Sequence, residues 1–154
     1  MPQPGNAKPR YLRPDPFTIH VFNRAVAALT KAGLSVMGSR ILHVKGRTSG
    51  QWRTTPVNLL SVDRRQYLVA PRGETQWVRN LRASHALKLQ LGRRINEFNA
   101  IELDDAEKLP ILRAYLVKWQ WEVGAFFERV SANSDDARLS QIAPGFPVFR
   151  IEPK

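Results

Sequence analysis

Between Ile41 and Leu103 the chain repeats one pattern, short β-like runs of apolar, branched and alternating residues broken by glycine, proline or paired charges. Ile41–Lys45 reads as a strand, Trp52–Val62 as a second strand rich in Thr, Val and Leu, and Gln66–Ala70 as a third. Pro56 falls inside the second; proline donates no ladder hydrogen bond, so that point is an edge or a bulge. Asp63-Arg64-Arg65 turns the chain between the second and third, which predicts a hairpin or meander. Ala86–Leu91 and Ile95–Leu103 read as strands four and five about the turn Gly92-Arg93-Arg94, and Pro147–Ile151 as a last strand.

Helical spacing surrounds these strands. Within Phe17–Ala32 the apolar positions Phe22, Ala25, Val26, Leu29 and Ala32 recur three or four residues apart, and Gly33 is a stop. Thr75 is an N-cap for a short helix through Trp77, Val78, Leu81 and Ala83. Asp104 and Asp105 cap a helix from near Ala106 through Leu112, Leu116 and Trp119 to Phe126 and Phe127, with Pro110 in its first turn and Gly124 allowing a bend. Asp135–Ile142 adds a short helix. Sequential strands with tight turns favour antiparallel pairing, so the order predicts an α+β domain built on a small barrel decorated by helices. At 154 residues one domain is expected, residues 17–154, behind a loose arm at 1–16 that holds Pro2, Pro4, Pro9, Pro14 and Pro16.

Composition narrows the chemistry. Zero cysteines exclude disulfides, thiol catalysis and thiolate metal sites. The net charge of +11 is concentrated: residues 40–94 carry twelve Lys/Arg against two acids (+10), while residues 95–154 carry seven against ten (−3). Such a field gathers anions, whether nucleic acid, anionic lipid or a phosphorylated cofactor. No run approaches the roughly 18 apolar residues of a membrane span, so a cytoplasmic protein is expected. The basic amphipathic helix at 17–33 either covers a sheet face or lies on an anionic membrane surface as a peripheral contact.

His20, His43 and His85 are far apart and have no carboxylate at ligand spacing, so no metal site is expected. Ser84 and His85 are mere sequence neighbours, which does not build a nucleophile–base pair. No phosphate-loop lysine and no dinucleotide fingerprint occurs. What remains is the stretch Lys45-Gly46-Arg47-Thr48-Ser49-Gly50-Gln51-Trp52-Arg53 between two strands. Glycines let backbone amides approach a ligand, and arginine offers a planar fork to phosphate oxygens. The same residues also suit a plain hairpin turn with solvated arginines. Arg72 and Gly73 form a second basic loop, followed by Trp77 and Asn80 on the helix. Side by side, the loops make an anion cradle with an aromatic beside it, fit for a ligand with a phosphate tail and a flat ring. Trp77 also suits a core aromatic, the reading that burial of tryptophan favours.

The ordered set Gly46-Arg47-x-Ser49-Gly50-x-x-Arg53-x-x-Pro56, Val69-Ala70-x-Arg72-Gly73 and Trp77-x-x-Asn80-Leu81-Arg82-Ala83 resembles the deazaflavin-dependent nitroreductase family. The resemblance covers roughly residues 40–103 well and the ends loosely. It implies a mainly antiparallel split β-barrel that binds the 8-hydroxy-5-deazaflavin coenzyme, coenzyme F-420. On this reading Arg47, Ser49, Gly50 and Arg53 hold the phosphate and Arg72 is the second-loop cation. Thr48, Pro56, Gly73, Trp77 and Asn80 complete the cofactor-binding set. The implied activity is hydride transfer from the reduced coenzyme to a small-molecule acceptor, a nitro compound, quinone or activated enone.

Two departures stand out. Thr48 replaces the usual lysine, and Arg72-Gly73-Glu74-Thr75-Gln76 is shorter than the common second loop. The tyrosines of the family's substrate pocket have no counterpart; the C-terminal region offers Tyr115, Trp119, Trp121, Phe126 and Phe127 instead, with Tyr115 the candidate proton donor. Alternatives are flavin mononucleotide in the same barrel, a non-catalytic cofactor-binding barrel, or a basic nucleic-acid or membrane-binding domain. Nucleic acid is the less expected partner, because Tyr67 is the sole aromatic between Trp52 and Trp77 and the cations cluster at turns. A monomer or a homodimer is expected.

Overall fold

The computed structural model of the protein describes residues 38–123, 127 and 130–154, with backbone alone at 121–123. The arm at 1–16, the helix expected at Phe17–Ala32, the bend at Gly124 and the side chains of Trp121 and Phe126 lie outside the described residues.

Among the described residues seven strands form one sheet: β1 (Ser39–Lys45), β2 (Trp52–Asn58), β3 (Leu60–Val62), β4 (Arg65–Val69), β5 (Ala86–Leu91), β6 (Arg94–Glu102) and β7 (Val148–Pro153). Their spatial order is β2-β1-β5-β6-β7-β4-β3, and every pairing is antiparallel. Among the described residues three α-helices accompany them: α1 (Gln76–Ser84), α2 (Leu109–Val123) and α3 (Asp136–Ile142).

The run Trp52–Val62, expected as one strand, is two. β2 is one edge of the sheet and β3 the other, although only Leu59 separates them in sequence. Neighbouring strands lie about 4.8 Å apart, so one residue can join the two edges of a seven-stranded sheet only if the sheet curls round on itself. The result is a half-closed barrel. The Leu59 N–H donates to the Gly38 carbonyl at 2.9 Å, tying the crossing to the start of β1. Pro56 sits on the edge strand β2, where a missing donor is tolerated. Asp63 and Arg64, with φ of 49° and 66°, make the tight β3–β4 turn.

Alternation along the strands feeds two cores. Leu68 and the following Ala70 face the barrel interior with Leu42, Val44, Leu89 and Phe149, and Val78 and Leu81 of α1 close that core. Tyr67 and Val69 point the other way, onto Leu112, Leu116 and Trp119 of α2 and onto Phe127 and Phe146. β4 is therefore covered on both faces, which explains its unbroken apolar run. The helix expected near Ala106 starts as a 3-10 turn, Asp105–Lys108, before α2 begins at Leu109. Asp104 Oδ1 accepts the Glu107 N–H at 3.1 Å, and Glu107 Oε1 accepts the Asp104 N–H at 3.3 Å, a reciprocal cap. Asp135 caps α3 by accepting the Arg138 N–H at 2.9 Å.

Candidate functional site

The β1–β2 connection is a compact reversal. The Gly46 N–H donates to Gln51 O at 2.8 Å, the Gly50 N–H to Gly46 O at 2.9 Å, and the Gln51 N–H to Ser49 Oγ at 3.2 Å. Gly50 has φ +71°, a conformation that glycine adopts without strain. Arg47, Thr48 and Ser49 are thereby held exposed at the tip of the hairpin.

The second loop leads from β4 into α1. The Gly73 N–H donates to Ala70 O at 3.2 Å, and the Thr75 N–H to Gly73 O at 2.9 Å. Thr75 occupies the N-cap position as expected, yet its side chain makes no capping bond and its Oγ1 is buried without a partner. Val78 and Leu81 drop into the barrel core, which fixes the rotation of α1. Gln76 and Asn80, four residues apart on one helical face, reach the first loop. Asn80 Oδ1 accepts from the Arg47 N–H at 3.1 Å and from Arg47 Nη1 at 2.8 Å; Gln76 Oε1 accepts from the same Nη1 at 3.0 Å.

Loop and helix bound a cleft of about 580 Å³. Its floor is apolar, with Leu42 and Val44 of β1. Arg53, Thr54 and Thr55 of β2 line it as well, and Arg47, Arg72 and Trp77 bring charge and a ring to its rim. Trp77 is half-buried, and its ring lies 5.9 Å from that of Phe149 with the planes tilted by 52°. It is both a core contact and a cleft wall.

Among the described residues, three arginines and no carboxylate line the cleft. The nearest acid in sequence, Glu74, is bound by Arg82, whose guanidinium reaches Glu74 Oε1 and Glu102 Oε2 at 2.8 Å each. The hydrogen bond to Glu102, and then that to Glu74, raise the Arg82 pKa above its ordinary value, against an opposing effect of burial. The pairing leaves the cleft with a positive field that suits a phosphate or carboxylate tail.

Of the residues singled out from sequence, the structure brings Arg47, Thr48, Ser49, Arg53, Arg72, Trp77 and Asn80 to this one cleft. Gly50, Pro56 and Gly73 do not line it. Gly50 and Gly73 shape the two loops, both with positive φ, and Pro56 pairs with Ile41 one position out of phase with the cleft residues Leu42 and Thr55. Tyr115 is elsewhere: 2% exposed, it packs in the α2 core with its ring 5.0 Å from Trp119 and 6.2 Å from Phe127. That placement puts it in the aromatic cluster of α2, outside the cleft lining.

Sequence reading missed Leu42, Val44, Thr54, Thr55 and Gln76. Leu42, Val44 and Thr55 follow from the hairpin register, which sets Leu42 against Thr55 and Val44 against Arg53, whereas Thr54 pairs with His43, out of phase with them. Gln76 was signalled by its four-residue spacing from Asn80. His43 is engaged by Gln90 Oε1 at 2.8 Å, and His85 caps α1 with φ +57°, its N–H donating to Leu81 O. Among the described residues, no group of three or more His, Asp or Glu side chains is placed to hold a metal ion, and no helix is long and apolar enough to cross a membrane.

Comparison with known proteins gives the family and the fold. The sequence pattern of the F420H(2)-dependent quinone reductase family matches residues 19–131. No curated protein matches the chain. Among solved structures, one described as an F420-H2 dependent reductase (FDR-A) superposes with a TM-score of 0.51 at 19% identity, covering 75% of this chain and 94% of its own. A second, described as a domain-swapped dimer, gives 0.53 at 18% identity over 91% and 100% of the two chains. A FAD-binding protein from Mesorhizobium loti gives 0.50 at 14% identity over 83% and 88%. These likenesses identify the curled sheet as a split β-barrel.

Proposed function

Because the chain belongs to the F420H(2)-dependent quinone reductase family, a family of oxidoreductases, we propose that it holds the reduced deazaflavin coenzyme in the cleft between the β1–β2 loop and α1 and reduces a quinone there. The observation that carries this reading is the composition of the cleft: Arg47, Arg53 and Arg72, the Trp77 ring and the apolar pair Leu42 and Val44 line it together, with no carboxylate among the described residues of its lining.

The donor set fits such a group. Arginines suit a phosphate and a polyanionic tail, and the Trp77 wall with its aliphatic floor suits a flat ring system. When bound, the coenzyme supplies a hydride, and conversion of a quinone to a hydroquinone consumes that hydride and one proton. The work of this chain is then orientation and charge. Arg47, Arg53 and Arg72 fix the anionic end, which sets the register of the ring along the cleft. Thr54 and Thr55 offer hydroxyls at the edge of the apolar floor. Leu42, Val44 and Trp77 exclude water from the face of the ring. A quinone is the acceptor favoured by the family; nitro compounds and activated enones are the acceptors to assay beside it.

The test is titration of the purified chain with oxidised coenzyme F-420, with flavin mononucleotide and with a short DNA duplex at one fixed salt concentration. The reading requires saturable binding of the deazaflavin, loss of about tenfold or more in affinity in Arg53→Ala, as expected for a charged hydrogen bond, and turnover of a quinone by the reduced coenzyme. Tight binding of flavin or DNA with none of the deazaflavin at micromolar concentration rejects it.

A further inference from the structure

Asn80 is among the three buried polar or charged side chains of the described residues, at 6% exposure. A buried amide needs partners, and Asn80 finds them on a loop 33 residues away in sequence. One oxygen, Oδ1, accepts the Arg47 backbone N–H at 3.1 Å and Arg47 Nη1 at 2.8 Å. It therefore fixes both the start and the end of the same residue.

The chemistry of the guanidinium gives this a consequence. Nη1 has two N–H groups, and its two acceptors, Asn80 Oδ1 and Gln76 Oε1, use both. Among the described residues no hydrogen bond involves Nε or Nη2 of Arg47. Those two nitrogens form one edge of the fork, and that edge makes two parallel bonds to a phosphate or carboxylate. An exposed arginine left to itself loses rotamer freedom when it grips an anion, a cost of up to about 2 kcal/mol. Here helix α1 has already met much of that cost.

We propose that Asn80 is a positioning residue rather than a ligand of the cofactor: it anchors the glycine loop to α1 and turns the Nε–Nη2 edge of Arg47 toward the anionic tail of the bound molecule. The proposal rests on the cleft being the coenzyme site. It also assigns Gln76 a supporting part, since Gln76 occupies the second N–H of Nη1. A positioning residue loses the part of its effect that runs through the side chain it positions once that side chain is gone, and this separates it from a direct contact.

The experiment is a double-mutant cycle on the full chain, with affinity for oxidised coenzyme F-420 read by fluorescence in wild type, Asn80→Leu, Arg47→Ala and the double variant. Asn80→Leu removes the acceptor at nearly constant volume and should weaken binding about tenfold, the scale of one charge-assisted hydrogen bond. Asn80→Leu should cost clearly less in the Arg47→Ala background than in wild type, the part that remains coming from the backbone N–H of residue 47, which alanine keeps. A penalty that persists in full without Arg47, or an unchanged affinity in Asn80→Leu, overturns the proposal. Asn80→Ala replaces Asn80→Leu if the latter does not fold.

A second measurement needs no ligand. Hydrogen exchange at the Arg47 amide should quicken in Asn80→Leu while amides of the barrel core keep their protection. Wild-type chain that binds no coenzyme defeats the functional reading, and the exchange result then decides the positioning of Arg47 by itself: unchanged exchange overturns it.

Discussion

Gly46 and Ser49 are packed so tightly that a β-carbon on Gly46 would stand 2.6 Å from Ser49 Oγ, with Gln51 O a further 3.4 Å neighbour. In Gly46→Ala the serine hydroxyl must rotate away, and the bond it accepts from the Gln51 N–H is lost. The expected cost is about 0.5–1.5 kcal/mol of stability, one exposed hydrogen bond plus a small strain. Coenzyme affinity should fall several-fold, because Arg47, Thr48 and Ser49 lie on the displaced segment. Denaturant melts and a binding titration on the same variant check both.

Gly38 gives the stronger structural prediction. It has φ +89°, and an added β-carbon would lie 3.2 Å from both Leu59 O and the Trp119 ring. Gly38→Ala should destabilise the fold by about 1–3 kcal/mol, since left-handed strain and contact with the backbone act together. Thermal unfolding should show a lower midpoint, and a midpoint equal to wild type contradicts the account.

Thr48 is an exposed cleft residue where the resembling family carries lysine. Thr48→Lys adds a fourth cation to the rim and should tighten coenzyme binding about threefold to tenfold at low ionic strength. The gain should shrink as salt is raised through the range where the Debye length falls below about 10 Å. Equal affinity at all salt concentrations would show that position 48 does not face the anionic tail.

Arg82 joins the second loop to β6 through Glu74 and Glu102. Its raised pKa means that, while Glu74 and Glu102 are ionised, its electrostatic share of stability is complete up to the ordinary arginine value and is lost on the alkaline side only above it. Arg82→Met should therefore cost a similar amount at neutral and at mildly alkaline pH, about 1 kcal/mol for a partly exposed two-carboxylate pair. It also frees the Glu74 carboxylate, two residues from Arg72 in the second loop, so coenzyme affinity should drop although Arg82 does not line the cleft.

Local pattern carried much of this fold. The Ala86–Leu91 strand, the cap at Asp104 and the short helix at Asp136–Ile142 depend on neighbours in sequence, and they were legible there. The break at Leu59 was not, because the residues on both sides are equally β-like; the separation into two strands comes from the curl of the sheet, which no short window contains. The cleft residues Arg47, Arg53, Arg72 and Trp77 were legible as an ordered set. Their mutual geometry was not: Asn80 looked like one more ligand contact, and only packing of α1 against β1 shows it bonded to Arg47. Tyr115 was chosen for its hydroxyl, and the long-range contacts that bury it with Trp119 and Phe127 leave no trace in local spacing.

The place of β7 in the sheet has a consequence for how the protein is made. Last of the seven strands in sequence, it pairs with β6 along one side and β4 along the other. Until it emerges from the ribosome, the nascent chain holds two unfinished pieces, β2-β1-β5-β6 and β4-β3, each with an open edge. Closure waits on contacts as distant in sequence as Gln66 with Ile151, so maturation is slow relative to helix formation, and the exposed strand edges are a window in which a chaperone has something to hold.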